Sequence, residues 1–190
     1  MRYLATRALL LSTLLLGCSG SVDSRTRLSI FAASSLTDSF QDLASEFEAQ
    51  NPSIAVELAF AGSQILRLQI EQGASVDLFA SANQKHLQEL VDDGYMGSPK
   101  VFASTDLVMI VPIANPAEIE TFQDLTKASR IVLGNEFSPI GLYTLEVLER
   151  AKADLGASFG SVVSERITSL ENNVRMVRAK VELGEADACL

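Results

Sequence analysis

Apolar positions along the chain follow two alternating rhythms, one suited to buried strands and one to helices packed against them. Leu28 to Phe31 reads as a short strand, and Phe40, Leu43, Ala44 and Phe47 mark one face of a helix ending before Asn51-Pro52. Ile54 to Phe60 is a second strand. Ile65, Leu68 and Ile70 give a second helix that stops at Gly73, and Val76 to Ala80 is a buried strand interrupted only by Asp77. Asn83 caps a third helix, with Leu87, Leu90 and Val91 inside and Gly94 as its stop. Strand then helix, three times over, predicts a parallel sheet covered by helices.

Thr105 to Pro112 is the longest strand candidate, and the pattern starts afresh beyond it. A short helix around Phe122 to Lys127 leads to a strand at Arg130 to Gly134. Ser138-Pro139 opens a helix with Pro at its first position, carrying Leu142, Leu145, Val147, Leu148 and Ala151. Arg166 to Leu170 is a further strand. Asn173 caps a helix striped by Val174, Val177 and Val181 and closed by Gly184. Ala186 to Leu190 begins one more strand and stops, so a C-terminally truncated chain is expected.

The 190 residues suffice for one large domain or two small lobes, and 47% hydrophobic content sets the chain apart from disordered sequences. Residues 1–17 have a different character: Arg2 and Arg7, then Leu9, Leu10, Leu11, Leu14, Leu15 and Leu16, then Gly17. That apolar block is too short to span a bilayer and reads as a secretory signal. LLLGCSG, with Cys18 after a small residue, resembles the lipobox of bacterial lipoproteins, so Cys18 is the expected lipidated residue and 18–27 a polar tether. Only Cys18 and Cys189 are present, and lipidation of the first excludes an internal disulfide. Loss of Arg2 and Arg7 with the leader leaves 13 of 15 basic residues against 24 acidic, a net charge of −11. Such a surface excludes nucleic acid as a partner. It does not decide against anions, because a binding site obeys its local dipoles.

Enzyme signatures are scarce. There is no Walker motif, no GxGxxG, no HExxH and no paired CxxC. His86, the sole histidine, stands beside Lys85 and near Gln88, which places it on a solvated helix face. What recurs is a set of helix starts with small or hydroxyl residues: Ser34-Ser35, Gly62-Ser63, Pro139-Ile140-Gly141 and Asn173-Val174. Ser35 to Asp38 fits a capping box. Each start offers up to four unpaired N–H groups and about half a positive charge, so several converging would hold an anion. Ordinary capping accounts for any one of them alone.

The ordered segments FAASSLTDSF, FAGSQILRLQIEQGASVDLFASANQKHLQELVDDG, SPIGLY and NNVRMVRAKVELGEADA resemble the molybdate-binding proteins of bacterial ABC uptake systems. The resemblance runs from about Leu28 to the last residue. It implies a type II periplasmic-binding-protein fold of class α/β, with two α/β lobes and a ligand cleft between them. Residues 28–105 would form lobe I, lacking its return segment, and 106–190 the crossover strand and lobe II. The oxyanion contacts of that family fall on Ser35 and Ser63 in one lobe and on the amides of Ile140 and Val174 in the other. The ligand would be molybdate or tungstate, with no cofactor and no direct cation ligand.

The expected protein is a monomeric receptor, not an enzyme, lipid-anchored at the periplasmic or extracellular face of the envelope. Its partners would be an ABC permease and the ATPase of that permease. The family also supplies a Tyr hydroxyl beyond ADACL, so weakened or absent binding is expected of these residues alone, and Cys189 stands where Gly is common. The alternatives are a receptor for another oxyanion such as sulfate and, in a different class, a serine-dependent α/β hydrolase.

Overall fold

The computed structural model describes residues 24–190, so the expected signal peptide and Cys18 lie outside the described residues. Strands β1 (Thr26–Ala33), β2 (Ile54–Ala61) and β3 (Leu78–Ala80) make one parallel sheet in the order β2-β1-β3. Strands β4 (Ile131–Gly134), β5 (Ile167–Glu171) and β6 (Ala188–Cys189) make a second parallel sheet, ordered β5-β4-β6. The helices are α1 (Thr37–Gln50), α2 (Ser63–Glu71), α3 (Gln84–Asp92), α4 (Pro139–Leu155), α5 (Ala157–Glu165) and α6 (Val174–Glu182). Two 3₁₀ turns, Ser34–Leu36 and Phe122–Lys127, complete the set.

In both sheets the first strand lies centrally, with its successor on one side and the third strand on the other. An open parallel sheet presents a crevice at the carboxyl ends of its strands where the winding direction switches. Here that point lies between β1 and β3, and likewise between β4 and β6.

An aspartate immediately precedes the third strand of each sheet. Asp77, the lone polar residue in its apolar run, accepts from Ser29 N through Oδ2 at 2.8 Å while its own N–H donates to Ser29 O at 2.9 Å. Asp187 repeats the motif on a larger scale. Its Oδ2 accepts from the amides of Ser129 and Arg130, both at 2.9 Å, and its Oδ1 from the Arg130 guanidinium at 2.7 Å. Burial alone would raise the Asp187 carboxyl, but these donors outweigh it and hold the group below the usual carboxylate range.

Packing is uneven between the halves. Ile131, Leu133, Leu125, Leu148, Phe159 and Val163 form the main core of the second half, and Val132, Val177 and Val181 fill the other side of its sheet. In the first half, Leu66, Ile70, Phe79 and Leu90 pack between α2, α3 and the sheet. Helix α1 buries no residue fully: Leu43 and Phe47 are exposed, and the half-buried Phe40 meets the edge of Phe102, at 6.0 Å between ring centroids.

Several expectations need correction. Thr105 to Pro112 is not a strand: only Ile110 pairs, in an antiparallel bridge to Cys189. No other described strand lies alongside this segment, and an apolar run without a neighbour has nowhere to place its backbone hydrogen bonds. Helix α5 was not expected at all. The Ser35–Asp38 capping box does not form, since Ala33 is the N-cap and makes no side-chain bond, while Asp38 is drawn away to an arginine. The expected strand Val76–Ala80 is limited to β3, with Asp77 holding its approach.

Candidate functional site

All four helix starts singled out in the sequence follow the carboxyl ends of strands. β1 empties into the buried Ala32, Ala33 and Ser34, after which Ser35 is exposed and its hydroxyl has no partner among the described residues. Thr37 Oγ1 donates to Ser34 O at 2.8 Å, so the turn is secured one residue beyond Ser35.

β2 runs through Gly62, the N-cap of α2, which supplies no side-chain acceptor. The N–H groups of Ser63 and Gln64 therefore remain without partners among the described residues. Ser63 is fully buried, and its Oγ accepts from Ala82 N at 3.0 Å, leaving the hydroxyl proton to be donated elsewhere.

The α4 start reduces to one donor by elimination. Pro139 has no N–H, and Gly141 N donates to the Ser138 side chain at 3.1 Å, which leaves Ile140 N–H. Asn135 shapes the preceding turn by accepting from Phe137 N and Ser138 N through Oδ1 and from Ser138 Oγ through its carbonyl. The turn lies so close to the helix that a Cβ on Gly141 would sit 1.9 Å from Asn135 O. At α6, the Asn173 side chain accepts from Met176 N at 3.1 Å, leaving the amides of Val174 and Arg175 open.

Three side chains tie the halves together across these starts. Gln64 Nε2 donates to Asn172 O at 2.8 Å, and Arg175 Nε donates to Ser34 O at 2.9 Å. Arg175 also meets Asp38 Oδ2 at 2.5 Å, a hydrogen bond that holds the Asp38 carboxyl below its usual range. Asn135 Nδ2 donates to Asn172 Oδ1 at 2.7 Å, joining the turn before α4 to the residue before the α6 cap. These bonds set the Ser34-Ser35 and Gly62-Ser63 starts beside the segment 172–175, and the Asn135 bond joins the turn before α4 to the same segment. Arg175 is paired with Asp38, and the open donors on Ser35, Ser63, Ile140 and Val174 are themselves uncharged.

The third tie corrects the reading of His86 as a surface residue. It is buried, and its Nε2 lies 3.0 Å from Phe137 O in the other half. Phe137 is 51 residues away, a contact that local pattern does not reveal. Gln64, Asn172 and Arg175 were missed for the same reason: each neighbours an expected donor, but its partner is remote in sequence. Among the described residues, no cluster of His, Cys, Asp and Glu could hold a metal ion, and no helix is long and apolar enough to cross a membrane.

A family model described as bacterial extracellular solute-binding protein matches residues 28–190. The molybdate-binding protein ModA of Mycobacterium tuberculosis is 34% identical over 163 residues, which is 85% of this chain and 59% of that protein. The chain thus spans less than two thirds of that relative's length. Among solved structures, the periplasmic molybdate-binding protein of Azotobacter vinelandii superposes with a TM-score of 0.63 at 22% identity, over 85% of this chain and 69% of that one. The sulfate-binding protein SubI of Mycobacterium tuberculosis gives 0.73 at 18% identity, over 87% and 64%. These two likenesses show the periplasmic-binding-protein type of α/β fold.

Proposed function

We propose, from the premise that the chain belongs to the bacterial extracellular solute-binding proteins, that it captures a tetrahedral oxyanion, molybdate or tungstate, for an ABC importer. Residues 28–105 act as one lobe, and 106–190 supply the crossover and the other. The observation that carries this reading is the set of open, uncharged donors on Ser35, Ser63, Ile140 and Val174, with Gln64 and Arg175 bonding across the halves and Asn135 joining the α4 turn to Asn172 within the second half.

Donor chemistry selects the ligand class. Molybdate and tungstate carry no proton at neutral pH, so a site of donors alone satisfies every oxygen. Phosphate usually retains a proton that needs an acceptor in the pocket, and the amides of Ile140 and Val174 offer none. Each hydrogen bond to the charged oxygens contributes about 1.5–3 kcal/mol. Roughly five such bonds, less the cost of closure, support binding tighter than micromolar. Sulfate shares the bare dianionic form, and the SubI fold likeness makes it the second reading.

The ligand engages both lobes and so stabilises the closed form. A permease would recognise the closed face, and the partner ATPase would supply the energy. With the leader removed, the lipid on Cys18 would hold the receptor at the outer face of the membrane. Calorimetric titration of the mature protein with molybdate, tungstate, sulfate and phosphate tests the proposal. Heat from molybdate and tungstate is expected; heat from phosphate alone would end it.

A further inference from the structure

We propose that Gln64 is a spacer fixing the gap between the α2 and α6 helix mouths, and that this spacing selects the oxyanion by size. The inference rests on the oxyanion reading above.

The two mouths meet with little room to spare. A Cβ on Gly62 would stand 2.5 Å from Asn172 O, so the main chains before α2 and α6 approach as closely as a glycine permits. Into this seam Gln64 sends its amide, which donates to Asn172 O at 2.8 Å. The other atom of that amide, Oε1, is buried without a hydrogen-bond partner. Leaving an acceptor unpaired costs free energy that a methionine of similar volume would avoid. The glutamine is therefore placed for its donor, which bears on one atom of the opposite half.

That atom is itself fixed. The Asn172 side chain accepts from Asn135 Nδ2, and the Asn135 main-chain N–H donates to Glu171 O at 2.8 Å. Asn135 in turn shapes the turn that presents Ile140. One amide of fixed length thus sets how far the Ser63 donors stand from those of Val174 and Ile140. Molybdate and sulfate agree in shape, charge and protonation and differ in size, so the separation of facing donors is what can tell them apart. Without the spacer, only the main-chain contact of Gly62 with Asn172 remains at the seam, and the facing donors are no longer held at one separation.

The test compares molybdate and sulfate affinities by titration for wild type, Gln64→Ala and Gln64→Met, with Gln88→Ala, an exposed glutamine on α3, as control. Methionine keeps the volume and removes the donor, which covers the case in which the alanine variant folds poorly. Melting without ligand verifies the fold of each. Both Gln64 variants should lower the molybdate-to-sulfate affinity ratio by about threefold to tenfold, the worth of one neutral hydrogen bond. The control should keep it. If wild type binds molybdate and the Gln64 variants retain its ratio, or lose both affinities equally, the spacer is overturned and the oxyanion reading stands. If wild type binds neither anion, both fall.

Discussion

Adding one methyl group at Gly141 should damage both the fold and the site. An alanine Cβ there would lie 1.9 Å from Asn135 O, 2.6 Å from Asn135 C and 2.7 Å from Gly134 O. All three are main-chain atoms, so no side chain can swing aside and the 134–138 turn must open. Overpacking of this kind costs about 1–3 kcal/mol. Moving the turn also breaks the Ser138 cap on Gly141 N, worth about 1 kcal/mol. The sum, about 2–4 kcal/mol, is a large part of the 5–15 kcal/mol typical of a whole domain. With a urea slope of about 2 kcal/mol/M, the midpoint should fall by about 1–2 M. Urea unfolding followed by far-UV circular dichroism measures this, with Gly97→Ala as the control, since a Cβ at Gly97 meets nothing within 4 Å. Equal midpoints for the two variants would refute the close packing of this turn, and with it the placement of Ile140 N–H.

Three further outcomes are expected. Burial, chiefly, and then the Arg67 and Lys85 charges hold the His86 imidazole below its ordinary 6.5, while the Phe137 carbonyl and Glu71 push the other way and Glu89 Oε2 lies 3.6 Å from Nδ1. The stability it contributes is full above pH 6.5 and is lost as pH falls through the lowered value, so thermal melts should drop on acidification. His86→Gln should flatten that profile, and an unchanged slope would count against it. Asp187→Asn should destabilise the chain by about 2–4 kcal/mol in urea, because a half-satisfied amide replaces a carboxylate accepting from two backbone amides and a guanidinium. The contribution of Asp187 is present above pH 3.8 and lost as pH falls through its depressed value, so the two proteins should converge in acid. Burial pushes the Cys189 thiol up to about 12, so an alkylating reagent near neutral pH should label it no faster than the chain unfolds; rapid labelling would show the β6 region to be open.

The parts of this fold legible in the sequence are those whose cause is local. Asn83, Ser138 and Asn173 signal helix starts because each side chain accepts a hydrogen bond within its own first turn. The hydrophobic stripes of α3 and α6 likewise declare their buried faces. Elsewhere the cause is distant. Helix α5, ASFGSVVSE, carries a mid-helix glycine and a weak stripe, and its place depends on Phe159 and Val163 reaching a core built by β4 and α4. The segment Thr105 to Pro112 has strand-forming residues but lacks strands beside it. The open donors could be named residue by residue, whereas the side chains spanning the gap could not, since their partners lie 51 to 141 residues away.

The order of strands in the second sheet has a consequence for synthesis on the ribosome. β1 and β2 can zip together over eight residues as soon as both have left the tunnel. β4 must wait on one side for β6, which pairs at Ile131 and Val132 only after α4, α5, β5 and α6 have been made. During that interval a short edge rich in Ile, Val and Leu stands bare on a nascent polypeptide. A holding chaperone acting on this protein should therefore engage it at the Ile131 edge, in the interval before β6 has emerged.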